Sequence, residues 1–150
     1  MLKPPAFRRA SAALAALSLA VFGCGQAQAY QCSGSMYNNP AFEQQVSDFS
    51  PYDKIYLIVN CISLEPGDYS MHVNWIHSKR GIVRSDKHRF SVAERQNHGV
   101  FFWMKLSKKG PLASMFSNQD FHEENFGQWV VEAYLNEAQV SANEFTITDD

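Results

Sequence analysis

The chain has 150 residues, 13 Lys+Arg against 15 Asp+Glu for a formal net charge of −2, and 45% hydrophobic residues. The slight acidic excess is opposite to the balance of a general nucleic-acid binder. No apolar run approaches the roughly 20 residues that a membrane-crossing helix needs.

The N-terminus reads as a targeting segment. Lys3, Arg8 and Arg9 form a positive head, residues 12–22 an apolar run, and Ala27-Gln28-Ala29 a small-x-small cleavage site before Tyr30. These features predict a cleaved signal peptide over residues 1–29. Val21-Phe22-Gly23-Cys24 also resembles a lipoprotein box, which leaves an acylated Cys24 as an alternative mature N-terminus. The Arg8-Arg9 pair is not followed by the apolar residue of a twin-arginine signal. Cleavage before Tyr30 leaves 121 residues with a net charge of about −5, the size of one domain. Cys32 and Cys61 then remain as an even pair, and in an exported protein they are expected to form a disulfide.

Residues 30–53 read as a polar lead, with a short helix expected near residues 41–46, and residues 54–150 as the folded domain. The β-branched run at residues 54–64 is the first strand. Pro66-Gly67-Asp68 signals a turn. Residues 69–78 alternate, with Met71, Val73 and Trp75 facing one way and His72, Asn74 and Ile76 the other. Lys79-Arg80-Gly81 turns the chain into residues 82–92, predicting a hairpin. Residues 100–107 form an apolar strand expected to be covered on both faces. Residues 108–126 read as a long loop, with a short helix near residues 112–116. Trp129, Val131, Ala133 and Leu135 then define the inner face of a terminal hairpin closed by Phe145 and Ile147.

Several short strands without long amphipathic helices predict an all-β antiparallel sandwich. The residues Leu64-Glu65-Pro66-Gly67-Asp68-Tyr69, Val73-Asn74-Trp75, 126–135 (FGQWVVEAYL) and Phe145-Thr146-Ile147 carry a resemblance. Over residues 55–148 the chain resembles the immunoglobulin-like domains of bacterial exported proteins. That resemblance implies an architecture suited to binding, spacing or accessory roles, and names no activity.

Chemistry is sparse. The sequence holds no Gly-x-Ser-x-Gly elbow and no phosphate-cradling glycine loop, and Phe126 stands where a His-Glu-x-x-His helix would need its second histidine. His72, His77, His88, His98 and His122 are expected to be surface imidazoles, with no metal site and no cofactor. The acidic cluster Asp120, Glu123 and Glu124 is read as a solvated loop. These observations predict no enzyme.

Charge distribution says more. Lys79, Arg80, Arg84, Lys87 and Arg89 load the central hairpin, whereas after Lys109 every charged side chain except histidine is acidic. Either basic and acidic strands lie side by side, or the hairpin presents a cationic patch to an anionic partner. The expectation is a non-enzymatic, exported accessory or binding module of the periplasm or outer envelope, whose five hairpin cations meet an anionic envelope component or protein. Two alternatives stay open: a structural or spacer subunit joined to its neighbours by strand pairing at the terminal hairpin, and an envelope hydrolase.

Overall fold

The computed structural model describes residues 30–106 and 123–148. They form β1 (Gln31–Tyr37), β2 (Asp48–Phe49), β3 (Lys54–Leu64), β4 (Gly67–His77), β5 (Gly81–Val92), β6 (Gln96–Lys105), β7 (Gly127–Leu135) and β8 (Ala138–Ile147). A three-stranded sheet ordered β1-β3-β6 packs on a five-stranded sheet ordered β2-β8-β7-β4-β5. All pairings are antiparallel except the short one between β2 and β8. Two sheets whose sequential strands cross between layers make an immunoglobulin-like sandwich.

Period-two burial generates both inner faces. Met71, Val73 and Trp75 of β4 and Trp129, Val131, Ala133 and Leu135 of β7 are buried against Ile55, Leu57 and Val59 of β3. Phe145 ties the aromatic centre together, stacked on Trp129 at 5.8 Å between ring centroids and edge-on to Trp75 at 6.3 Å. Each such side chain, moved out of water, contributes about 1.5–3 kcal/mol before entropy is counted.

The polar lead is built into the sandwich. Gln31, Ser33 and Ser35 gave no strand signal, yet β1 is zipped to β3 in continuous register from Gln31↔Ile62 to Tyr37↔Tyr56. Within that ladder Cys32 and Cys61 lie opposite each other and are bonded. The bridge staples neighbouring strands of one sheet. β1 can approach β8 because Gly34 has no side chain: a Cβ there would stand 2.2 Å from Asn143 Oδ1.

Two local expectations are corrected. No helix forms at residues 41–46; the backbone turns back after Pro40, Gln45 bridges to Tyr37, and the Val46 amide bonds the Met36 carbonyl at 3.0 Å. The Phe42 ring, packed on Tyr37 and Tyr56, outweighs the weak local helix preference. The second correction concerns β6, which is covered on only one face. Val100, Phe102 and Met104 are buried, but Phe101 and Trp103 remain 61% and 42% exposed. The helix expected at residues 112–116 lies outside the described residues.

Candidate functional site

The β4–β5 hairpin forms as the alternation implies, with Gly81 at φ 72° turning the chain out of residues 78–80. Its strand geometry divides the five expected cations. Opposed residues of an antiparallel pair share a face, so the register Trp75↔Arg84 turns Arg84 inward and the register His72↔Lys87 and Ser70↔Arg89 turns Lys87 and Arg89 outward. Lys79 and Arg80 sit in the turn at the hairpin's end.

Arg80 and Arg84 are already held. Arg80 donates to Asn125 Oδ1 at 2.6 Å, lies 3.8 Å from the Glu124 carboxylate and approaches the Trp129 ring. Arg84 donates through Nε and Nη2 to Asp86 Oδ1 at 3.0 and 2.8 Å. Asp86 in turn accepts the Trp75 indole N–H at 3.0 Å. Lys87 and Arg89 form no ion pair with another described residue.

Those two cations border adjoining grooves on the outward face of the five-stranded sheet. One, of about 540 Å³, is lined by Ser70, His72, Asn74, Lys87, Tyr134 and the Asn136-Glu137 turn. The next, of about 460 Å³, adds Asp68 and Arg89 and shares Ser70 and Asn136. The floor is polar and ordered: the Ser85 hydroxyl donates to Asn74 Oδ1 at 2.7 Å and the Ser70 amide to Asn136 Oδ1 at 2.8 Å. Tyr134 donates to Glu132 Oε2 at 2.5 Å, and this hydrogen bond, reinforced by partial burial and the nearby carboxylate charge, raises the phenol above its ordinary pKa. His72 lies 6.0 Å from the Tyr134 ring.

Of the two explanations for the uneven charge, strand adjacency fails for the main block: β4 separates basic β5 from acidic β7. Among the described residues, the carboxylates that approach the hairpin do so at its end, where Glu124 meets Arg80, and around the outward grooves, where Glu137 and Asp68 share the lining with Lys87 and Arg89.

The histidines are not uniformly on the surface. His77 is 2% exposed, and its Nε2 lies 3.0 Å from the Phe126 carbonyl. Its Nδ1 accepts the Lys79 amide at 3.2 Å. Strand alternation would have shown that it faces inward with Trp75. His98 is half-buried, stacked on Phe90 at 4.2 Å. His122 and Asp120 lie outside the described residues, as does Cys24; Glu123 and Glu124 are exposed. The edge expected on the terminal hairpin is partly closed, since β2 pairs with Thr146 and Ile147 of β8, and among the described residues β5 has no partner strand on its outer side.

No family model matches the chain, and no curated protein does. Solved structures with a similar fold exist. Alkylpurine DNA glycosylase AlkC of Pseudomonas fluorescens, bound to DNA with an abasic-site analogue, aligns with a TM-score of 0.53 and 12% identity, over 80% of this chain and 30% of the glycosylase. A mutant β-glucosidase of Listeria innocua in complex with laminaribiose aligns with a TM-score of 0.50 and 12% identity, over 81% of this chain and 16% of that enzyme. An immunoglobulin-like protein of Pseudomonas aeruginosa aligns with a TM-score of 0.45 and 9% identity, over 79% of this chain and 96% of its own. At such identities the likeness concerns fold alone. The chain spans less than a third of the glycosylase and of the β-glucosidase. The expectation that the chain is no enzyme is corrected by these two neighbours: a similar sandwich is part of each, so the absence of familiar motifs does not place the chain outside enzymes.

Proposed function

We propose that this sandwich is an exported binding module that holds an anionic envelope or protein partner along the outward face of its β4–β5 hairpin. The observation carrying the reading is the pairing of Lys87 with Arg89 on one face of an edge strand. Both are free of ion pairs among the described residues and both border a polar groove. Arg89 offers a planar two-pronged donor and Lys87 a point charge, while Asn74 and Asn136 add neutral hydrogen bonds. Arg84 stays with Asp86 as part of the fold, and Lys79 and Arg80 extend the positive field at the hairpin's end. Export is supported by the signal-like residues 1–29 and by the Cys32–Cys61 bridge, which belongs in an oxidising compartment. No helix among the described residues is long and apolar enough to cross a membrane.

The binding test is co-sedimentation at low ionic strength with phosphatidylglycerol vesicles and with a purified envelope fraction. Lys87→Glu combined with Arg89→Glu is expected to release the protein from whichever it binds, and added salt should do the same. Unchanged association of the double variant overturns the reading. The intact mass of the protein recovered from cells reads the processing, because cleavage before Tyr30 and acylation at Cys24 leave different masses.

A further inference from the structure

The opposite side of the sandwich carries an aromatic surface that the hairpin reading does not use. On β6, Phe101 and Trp103 point outward at alternate positions and are 61% and 42% exposed. Isolated exposed apolar residues are ordinary, but here the rings belong to a fixed cluster. Phe42, at φ 54°, packs edge-on to Tyr37 and to Tyr56, each at 5.5 Å, and lies 6.5 Å from Phe101. Tyr56 is itself buried beneath this layer. Rings already held in place lose little freedom when something binds them.

Cations flank the cluster at its Trp103 end. Lys54 and Lys105 are directly opposite each other in the β3–β6 ladder, a placement of like charges that costs stability. Lys54 Nζ lies 3.9 Å from the centre of the Trp103 ring, and Arg84 approaches the same ring at 5.6 Å. Among the described residues, none of the outward positions of β1, β3 and β6 is a carboxylate. Such a face complements a polyanion.

We propose that this face binds an acidic polysaccharide, whose sugar rings pack against Phe101 and Trp103 while its carboxylates meet Lys54 and Lys105. Lysine is depleted from the centres of protein–protein interfaces, which argues against a folded protein as occupant. A second copy in symmetric contact would bring the same cationic patch to both sides of the interface, and the outward positions of these three strands hold no carboxylate to answer it among the described residues. Asn60, beside the aromatic cluster and opposite Gly99, adds an amide suited to sugar hydroxyls.

Polygalacturonate is the probe and neutral dextran the control, read by retardation in native gels containing each polymer and by tryptophan fluorescence. Trp75 and Trp129 are buried, so a spectral change on titration reports Trp103. Wild type is expected to be retarded by polygalacturonate and not by dextran, and to be released by salt. Trp103→Ala, and Lys54→Gln with Lys105→Gln, are each expected to weaken binding at least tenfold with unchanged thermal unfolding, while Lys87→Glu with Arg89→Glu leaves it intact. No retardation of wild type, or full retention by Trp103→Ala, overturns the proposal. So does concentration-dependent dimerisation, or binding to phosphatidylglycerol vesicles, that Trp103→Ala abolishes. Loss of polygalacturonate binding in the Lys87/Arg89 variant would assign the polymer to the hairpin face instead.

Discussion

The indole N–H of Trp75 donates to Asp86 Oδ2 at 3.0 Å, joining the centre of the core to the edge strand. Asp86 accepts Arg84 with its other oxygen, so one carboxylate serves a buried donor and a cation together. Asp86→Ala leaves the indole without a partner inside the sandwich, a loss of about 1–3 kcal/mol. Asp86→Asn keeps an acceptor and should cost less. Urea unfolding checks this through the midpoint, with an unchanged slope showing that the folded state is otherwise intact.

Gly34→Ala tests how the two sheets meet at β1. The new Cβ would stand 2.2 Å from Asn143 Oδ1 and 2.6 Å from Ser141 Oγ, so the Asn143 side chain has to move. Its bond to the Gly34 carbonyl, 3.0 Å long, would be lost, at about 1–2 kcal/mol. Asn143→Ala in the Gly34→Ala background is then expected to add almost nothing. Full additivity in the double-mutant cycle would show that the two positions are uncoupled.

The Cys32–Cys61 bridge closes a loop of 29 residues, which on the chain-entropy account contributes about 3–4 kcal/mol. Cys32→Ala with Cys61→Ala should destabilise the fold by that amount relative to the oxidised protein, seen as a lower thermal midpoint. Wild type in strong reductant should unfold with the double variant.

How much of this was legible beforehand follows from where burial alternates. β4 and β7 carry an apolar residue at nearly every second position, so their inner faces could be read directly, whereas β8 shows its inner face only through Phe145 and Ile147, with Ser141 and Asn143 on the same side. β1 could not, because Gln31, Ser33 and Ser35 hold their place through β3 and the disulfide, which are tertiary facts. In the candidate site the signal was present but needed strand parity: Arg84 sits an odd number of residues from Lys87 and Arg89, which on an extended strand puts them on opposite faces. Clustering by charge alone merged groups that the backbone separates. Trp103 and Phe101 were hidden for another reason, since an unbroken apolar run looks the same whether one face or both are covered.

His77 fastens the end of β4 to the segment entering β7. Its ring bridges the Phe126 carbonyl and the Lys79 amide, and it meets the Trp129 ring edge-on at 4.9 Å. His77→Phe keeps the aromatic contact and removes both hydrogen bonds. A loss of about 2 kcal/mol is expected from the two unpaired main-chain groups. Hydrogen exchange checks the location, with the Lys79 amide losing protection more than amides in the middle of β4.

One substitution should stabilise the fold. The β7–β8 turn places Asn136 at φ 48° and Glu137 at φ 72°, the pair of left-handed conformations of a two-residue hairpin turn. Asn136 suits its position, and its amide and side chain both bond Ser70. Glu137 does not, since a side chain bearing a Cβ carries a conformational penalty there that glycine avoids. Glu137→Gly completes the favoured Asn-Gly pair, and the strain it relieves outweighs the freedom that glycine gains in the unfolded chain. The expected gain is about 0.5–1 kcal/mol, seen as a rise in thermal midpoint. Asn136→Ala should move the midpoint the other way by removing the bond to the Ser70 amide, and a fall with Glu137→Gly would show that the turn carries no strain at that residue.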